Sequence, residues 1–118
     1  MMLNIYVDGS GGPNSGFGFF VKETGESFYK KEPNITNNQA EYMAIIAVLK
    51  KFTDFKEELN IHSDSKNTVS QLNHEYAIND SNLRTLAMEA WSMISKYPNL
   101  KIKWIPRNEN LAGKMLGS

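Results

Sequence analysis

The chain contains no cysteine, which removes disulfides, thiolate zinc sites and thiol nucleophiles from consideration at once. It also lacks net charge: 13 Lys and Arg balance 13 Asp and Glu. No global positive field therefore gathers polyanions, and non-specific adhesion to nucleic acid through counterion release is expected to be weak. A nucleic-acid substrate reached through metal ions stays open, because a cation held by carboxylates supplies positive charge locally. No apolar run is long enough to cross a bilayer, and the first residues read as an alternating strand rather than the apolar segment of a secretion signal. The expectation is a cytoplasmic protein with no membrane partner, acting as a monomer. There is no internal repeat, linker or low-complexity stretch, and 118 residues fit one domain, 1–118, with a single hydrophobic core.

What is present is a succession of strand and helix patterns. Leu3, Ile5 and Val7 alternate with Asn4, Tyr6 and Asp8, a strand ending at Asp8. GSGGPNSG follows, a cluster of turn formers, and GFGFFVK then reads as a second strand. Because a strand and not a helix comes after the glycines, the loop is a hairpin turn rather than a phosphate cradle. Gly25 turns the chain into a third strand over about 26–31. The polar EPNITNNQ leads into a helix over about 39–52, which Thr36, Asn37 or Asn38 can cap. That helix is apolar on most sides and so packs deeply against a sheet. Glu41 falls in its first turn, where the helix dipole favours an acid.

A fourth strand over 59–63 carries Asp64 at its C-terminal end, and Ser65 can cap a short helix bearing Val69 and Leu72. Residues 83–97 hold the cleanest helical stripe, from Leu83 to Tyr97. Leu100, Ile102 and Trp104 alternate with Lys101 and Lys103, a strand whose exposed lysines suit a sheet edge. Trp91 and Trp104 fall on apolar stripes and read as core. After Pro106 a last short helix is expected to hold Leu111 and Leu116. The order β-β-β-α-β-α-α-β-α specifies an α/β fold. It is a mixed five-stranded sheet of three antiparallel, hairpin-linked strands and then two parallel ones reached by helical crossovers, flanked by helices.

Asp8, Glu41 and Asp64 each lie where an element begins or ends. In such sheets ligand sites form beyond the carboxyl ends of parallel strands. Taken singly, the three acids could be a turn residue, a dipole partner and a helix cap; their convergence at one sheet edge is harder to explain that way. Three hard oxygen donors suit Mg²⁺ or Mn²⁺, ions that take their remaining ligands from water and substrate phosphates. Two such ions can activate a water and stabilise the leaving oxygen of a phosphodiester.

Four segments carry a resemblance: YVDGS at 6–10, TNNQAEYMA at 36–44, IHSDS at 61–65 and WIPRNEN at 104–110. In order and spacing they resemble type 1 ribonuclease H (ribonuclease HI), in the short form found in archaea and some bacteria and viruses. The resemblance implies a ribonuclease H-like fold and hydrolysis of the RNA strand of an RNA/DNA hybrid, using two Mg²⁺ or Mn²⁺ ions. Asp8, Glu41 and Asp64 match three of that family's four metal-binding carboxylates, with Asp8 shared between the ions. Asn37, Asn38 and Gln39 match the segment that reads the hybrid's minor groove. Ser10 and the backbone of Gly9 match positions where the RNA 2′-hydroxyl is sensed, in keeping with recognition of A-form-like duplexes by shape and 2′-hydroxyls.

Three departures accompany the match. The family's fourth acid follows an Asn as N-x-x-A-D, but NENLAGKMLG places Gly113 there in one register and Lys114 in another. Either Glu109 from the loop or a neutral oxygen of Asn108 or Asn110 is then expected to stand in, or a metal ion is bound weakly. The loop at 106–110 carries no proton-moving histidine; His74 reads as a surface residue and His62 as a packed one. Between residues 73 and 83 only acids are certain charges, so the basic protrusion of longer members is missing, and Lys30, Lys31, Lys66 and Arg107 remain as cations for a substrate. The alternative these departures raise is a catalytically silent ribonuclease H-like module that binds hybrid nucleic acid or a protein partner.

Overall fold

The computed structural model describes residues 1–115. Strands β1 (Met2–Ser10), β2 (Gly16–Val21) and β3 (Ser27–Lys31) precede helix α1 (Asn37–Lys51); β4 (Glu58–Ser63), α2 (Lys66–Leu72), α3 (Ser81–Ile94) and β5 (Leu100–Trp104) follow. A 3₁₀ turn (Arg107–Glu109) then leads to α4 (Leu111–Met115). The expected Leu116 of that last helix, with Gly117 and Ser118, lies outside the described residues. The five strands form one sheet in the order β3-β2-β1-β4-β5. β1, β2 and β3 pair antiparallel, whereas β4 and β5 run parallel to β1, as the element order requires.

Period-two alternation sorts the sheet's side chains. Leu3, Ile5 and Val7 of β1 and Leu59 and Ile61 of β4 are buried together with Phe17, Phe19 and Val21 of β2. Onto this surface α1 packs Ala44, Ile45, Val48 and Leu49, and α3 packs against α1 through Leu83, Ala87 and Ala90. The largest fully buried side chain among the described residues, Tyr42, keeps its hydroxyl satisfied by donating to Gln71 Oε1 at 2.7 Å, since an unpaired buried hydroxyl would be costly. Positions of the other parity in β1 and β4 are polar: His62 stacks on Tyr6 and its Nε2 lies 3.0 Å from Asn4 Oδ1.

Several boundaries differ from expectation, each for a local reason. Helix α1 begins at Asn37, not 39, because Thr36 closes a capping box with Gln39: the Gln39 N–H donates to Thr36 Oγ1 at 3.1 Å and the Thr36 N–H to Gln39 Oε1 at 2.9 Å. Glu41 thus sits in the second turn, beyond the reach of the dipole argument. Helix α3 starts at Ser81 because Asp80 accepts from the Leu83 N–H at 3.0 Å. Trp104, expected in the core, is 46% exposed, because β5 is an edge strand and Trp104 ends it past the cover of the helices. The outer edge of β5 is partly closed: Asn73 Nδ2 donates to the Ile102 carbonyl at 2.9 Å.

β1 also runs two residues past Asp8, since Gly9 and Ser10 stay paired with Phe17 and Gly16 of β2. Its pairing with β4, however, stops at Tyr6–His62, while β4 continues to a Ser63–Trp104 pair with β5. β1 and β4 therefore part at their carboxyl ends, and the start of α1 lies across the opening. The approach is close enough to dictate glycine twice. A Cβ on Gly9 would come within 2.5 Å of the Ala40 carbonyl carbon, and one on Gly11 within 2.5 Å of the Asn37 nitrogen. Both obstacles are backbone, which cannot rotate away. Gly9→Ala is expected to push α1 from β1 and cost about 1–3 kcal/mol, read as a lower midpoint in urea denaturation.

Candidate active site

Each acid is delivered by a different element. Asp8 comes from β1 just past the last β1–β4 pair, Glu41 from the second turn of α1, and Asp64 from the residue after β4. One carboxylate oxygen from each lies within 4.8 Å of the others. Asp8 and Glu41 are buried and the Asp64 side chain is 5% exposed, so three carboxyl groups share a poorly solvated floor. The three residues singled out in the sequence are brought together.

Their orientation is fixed by hydrogen bonds across the strand opening. Glu41 Oε1 accepts from the Gly9 N–H and Oε2 from the Ser63 hydroxyl, each at 3.2 Å; one carboxylate thus spans β1 and β4 where their own ladder has ended. Asn110 makes a second bridge. Its Nδ2 donates to the Val7 carbonyl at 2.9 Å and to Asp64 Oδ2 at 2.8 Å, while its Oδ1 accepts from the Ala112 N–H at 3.0 Å. This corrects the expectation that Asn110 could offer a neutral oxygen: that oxygen caps α4, and the Asn110 side that meets the acids is its amide N–H. Glu109, the other stand-in considered, lies exposed on the 3₁₀ turn and is not part of the acid cluster.

Electrostatics reflect the crowding. The Glu41 carboxyl is pushed up to about 8, first by burial and then by the charges of Asp8 and Asp64, against the opposing pull of the Gly9 and Ser63 hydrogen bonds. Arg107, one of the four candidate cations of the sequence, brings a compensating charge: its Nη2 lies 3.9 Å from Asp64 Oδ1, although the side chain is 85% exposed and the pair is correspondingly weak.

The acids floor a cleft of about 320 Å³ whose walls include Gly9, Ser10, Asn37, Asn38 and Arg107. Asn37 is anchored there, its Oδ1 accepting from the Gly11 N–H at 2.6 Å, which leaves the Nδ2 donors for a ligand. Gln39 does not line the cleft, being committed to the cap of α1. Of the histidines, His62 is engaged with Tyr6 and Asn4, and exposed His74 stacks on Trp91. Neither meets the acids. Ser63 was not singled out in the sequence, where nothing distinguishes its hydroxyl from those of neighbouring serines.

Residues 22–117 match the model of the family described as reverse transcriptase-like. The chain belongs to that family. It is 33% identical to EbsB of Enterococcus faecalis, a protein that carries a hydrolase's name, over 98% of this chain and 90% of that one. It is also 33% identical to ribonuclease HI of Halobacterium salinarum, over 81% of this chain but 47% of the relative, about half its length. The crystal structure of the Halobacterium salinarum RNase H1 superposes with a TM-score of 0.86 at 27% identity, covering 98% of this chain and 94% of that one. The N-terminal RNase H domain of a Mycobacterium tuberculosis protein gives the same TM-score at 25% identity, over 98% and 89% of the two chains. The fold is that of these ribonuclease H structures. Among the described residues of this ribonuclease H homologue, no helix is long and apolar enough to cross a membrane.

The raised Glu41 pKa has a direct consequence for stability in the absence of divalent cations. A carboxyl with a pKa of about 4.5 in the unfolded chain and about 8 in the folded one gives the native state more bound protons between those values. Its contribution is therefore fully present below about pH 4.5 and lost as pH rises through about 8. In EDTA, the melting temperature is expected to fall between pH 5 and pH 8.5, and Glu41→Gln to flatten that fall; equal slopes in the two proteins would refute it.

Proposed function

We propose that this ribonuclease H homologue hydrolyses the RNA strand of RNA/DNA hybrids with divalent metal ions, Mg²⁺ or Mn²⁺, in two positions served by Asp8, Glu41 and Asp64. The observation that carries the reading is the convergence of three carboxylates within 4.8 Å at the floor of a cleft walled by Asn37 and Asn38. The donor set fits such ions: all-oxygen, anionic and held rigid. A carboxyl that keeps its proton up to about pH 8 for want of a counter-charge is one that a bound cation would relieve. The ions, when bound, make water nucleophilic near neutral pH and neutralise charge building on the scissile phosphate.

The remaining roles belong to the chain's own groups. Gly9 N–H and Ser63 hold the Glu41 carboxylate in place, and Asn110 holds Asp64; little reorganisation is then needed at the moment of reaction. Asp8, on β1 just past its last pair with β4, would serve both ion positions. Asn37 and Asn38 face the minor groove from the start of α1, and Ser10 with the Gly9 backbone meets the RNA 2′-hydroxyl, the group that separates RNA from DNA. Gln39 contributes to recognition through the cap that positions both asparagines. Arg107 lies where a phosphate would enter.

A second reading, a binding module without turnover, draws on one specific observation. Among the described residues no fourth acid joins the cluster, and the amide of Asn110 already occupies one oxygen of Asp64. The two readings part on a single assay. Cleavage of an end-labelled RNA strand in a hybrid is expected with Mg²⁺ or Mn²⁺. Asp8→Asn should lower it by about 100-fold or more, the equivalent of several kcal/mol of lost transition-state stabilisation, with an unchanged circular dichroism spectrum. Hybrid binding with no cutting in either metal would favour the silent module. Gly113→Asp, which supplies an acid three residues after Asn110, is expected to lower the Mg²⁺ concentration for half-maximal cleavage by about tenfold, measured by metal titration of the initial rate.

A further inference from the structure

We propose that the Trp104 indole and the Lys66 ammonium beside it form a strand-gripping rim that holds the hybrid next to the acidic cleft, a proposal that rests on the reading of that cleft given above. Trp104 continues an apolar strand pattern, yet it is 46% exposed. Its exposure is not that of a loose side chain. The indole N–H donates to the Asp64 carbonyl at 3.2 Å, which ties the ring to the backbone of one of the three acids. Lys66 Nζ stands 5.9 Å from the ring centroid, within cation–π range.

The position of Lys66 is informative in itself. It is the first residue of α2, directly after Ser65, which lines the cleft. A cation at a helix N-terminus meets the positive end of the dipole, so helix stability does not account for it. Three residues after Trp104, the exposed Arg107 guanidinium lies 3.9 Å from Asp64 Oδ1. An anchored, half-exposed aromatic face with a cation over it, at the lip of a site that handles phosphodiesters, matches the chemistry of a nucleotide: a base or sugar to lie on the ring and a phosphate for the ammonium. A protein partner would be served by the ring but would leave the cations without a role. The rim also supplies, from β5 and α2, the grip that the stretch between residues 73 and 83 does not.

The chain has two tryptophans, so Trp91→Phe leaves Trp104 as the sole reporter. In that background, carrying Asp8→Asn to prevent turnover, titration with an RNA/DNA hybrid is expected to change the Trp104 emission and to saturate with the anisotropy of the labelled hybrid. Trp104→Ala is expected to weaken hybrid binding about tenfold, and Trp104→Phe to restore most of the loss. Lys66→Gln should reduce the salt dependence of binding by about one phosphate contact, a change that loss of packing alone does not produce. Unchanged Trp104 emission, with unaltered affinity in Trp104→Ala and Lys66→Gln, would overturn the rim while hybrid cleavage by the wild type left the cleft assignment standing. A wild-type chain that neither binds nor cuts hybrid would overturn both.

Discussion

The parallel pairing of β1 with β4 ends at Tyr6 and His62 although both strands run on, and the rest of the site depends on how that opening is held. Backbone groups that would have paired across it need other partners, because buried polar atoms without partners are costly. Glu41 supplies one of these contacts from α1, accepting from the Gly9 N–H, and also accepts from the Ser63 hydroxyl on β4; Asn110 supplies the Val7 carbonyl with its partner from the segment before α4. The residues that repair the sheet are thus the ones that bring the carboxylates together. Gly9 and Gly11 belong to the same constraint: without a Cβ at either position, α1 can come near enough for Glu41 to reach both strands.

The arrangement is electrostatically unfavourable on its own. Three carboxylates within 4.8 Å, two of them in buried residues, repel one another where little solvent screens them. The protein meets the problem with a retained proton on Glu41, amide and hydroxyl donors on Asp64 and Glu41, and a distant guanidinium. None of these neutralises the cluster as a divalent ion would, and strain of this kind gathers at functional sites.

The sheet and the acid cluster were legible in the sequence because they follow from local signals. Alternation in LNIYVD, the turn cluster GSGGPNSG and the polar lead-in to α1 each specify an element without reference to the rest of the chain. Strand-end and helix-start acids then converge by topology alone. What could not be read depends on distant partners. Asn110 looks like one more loop asparagine until Val7 and Asp64 are seen on either side of its amide. Trp104 alternates like a core residue, and only the edge position of β5 exposes it. Glu41 was placed correctly in space but for a different reason: its position answers to the strand opening and not to the helix dipole.

The Asn110 bridge has a consequence for the order of assembly. It ties Val7 to a residue 103 positions along the chain, and Asp64 to one 46 positions along. Contacts of such separation close after local hairpins and helices, since their loop-closure entropy must be overcome first. A chain that has formed its β1–β2–β3 meander and α1 already has Asp8 and Glu41 near each other, yet Asp64 stays unlocked until the 110–112 segment docks. The C-terminal clasp is therefore expected to be among the last contacts of the cluster to close.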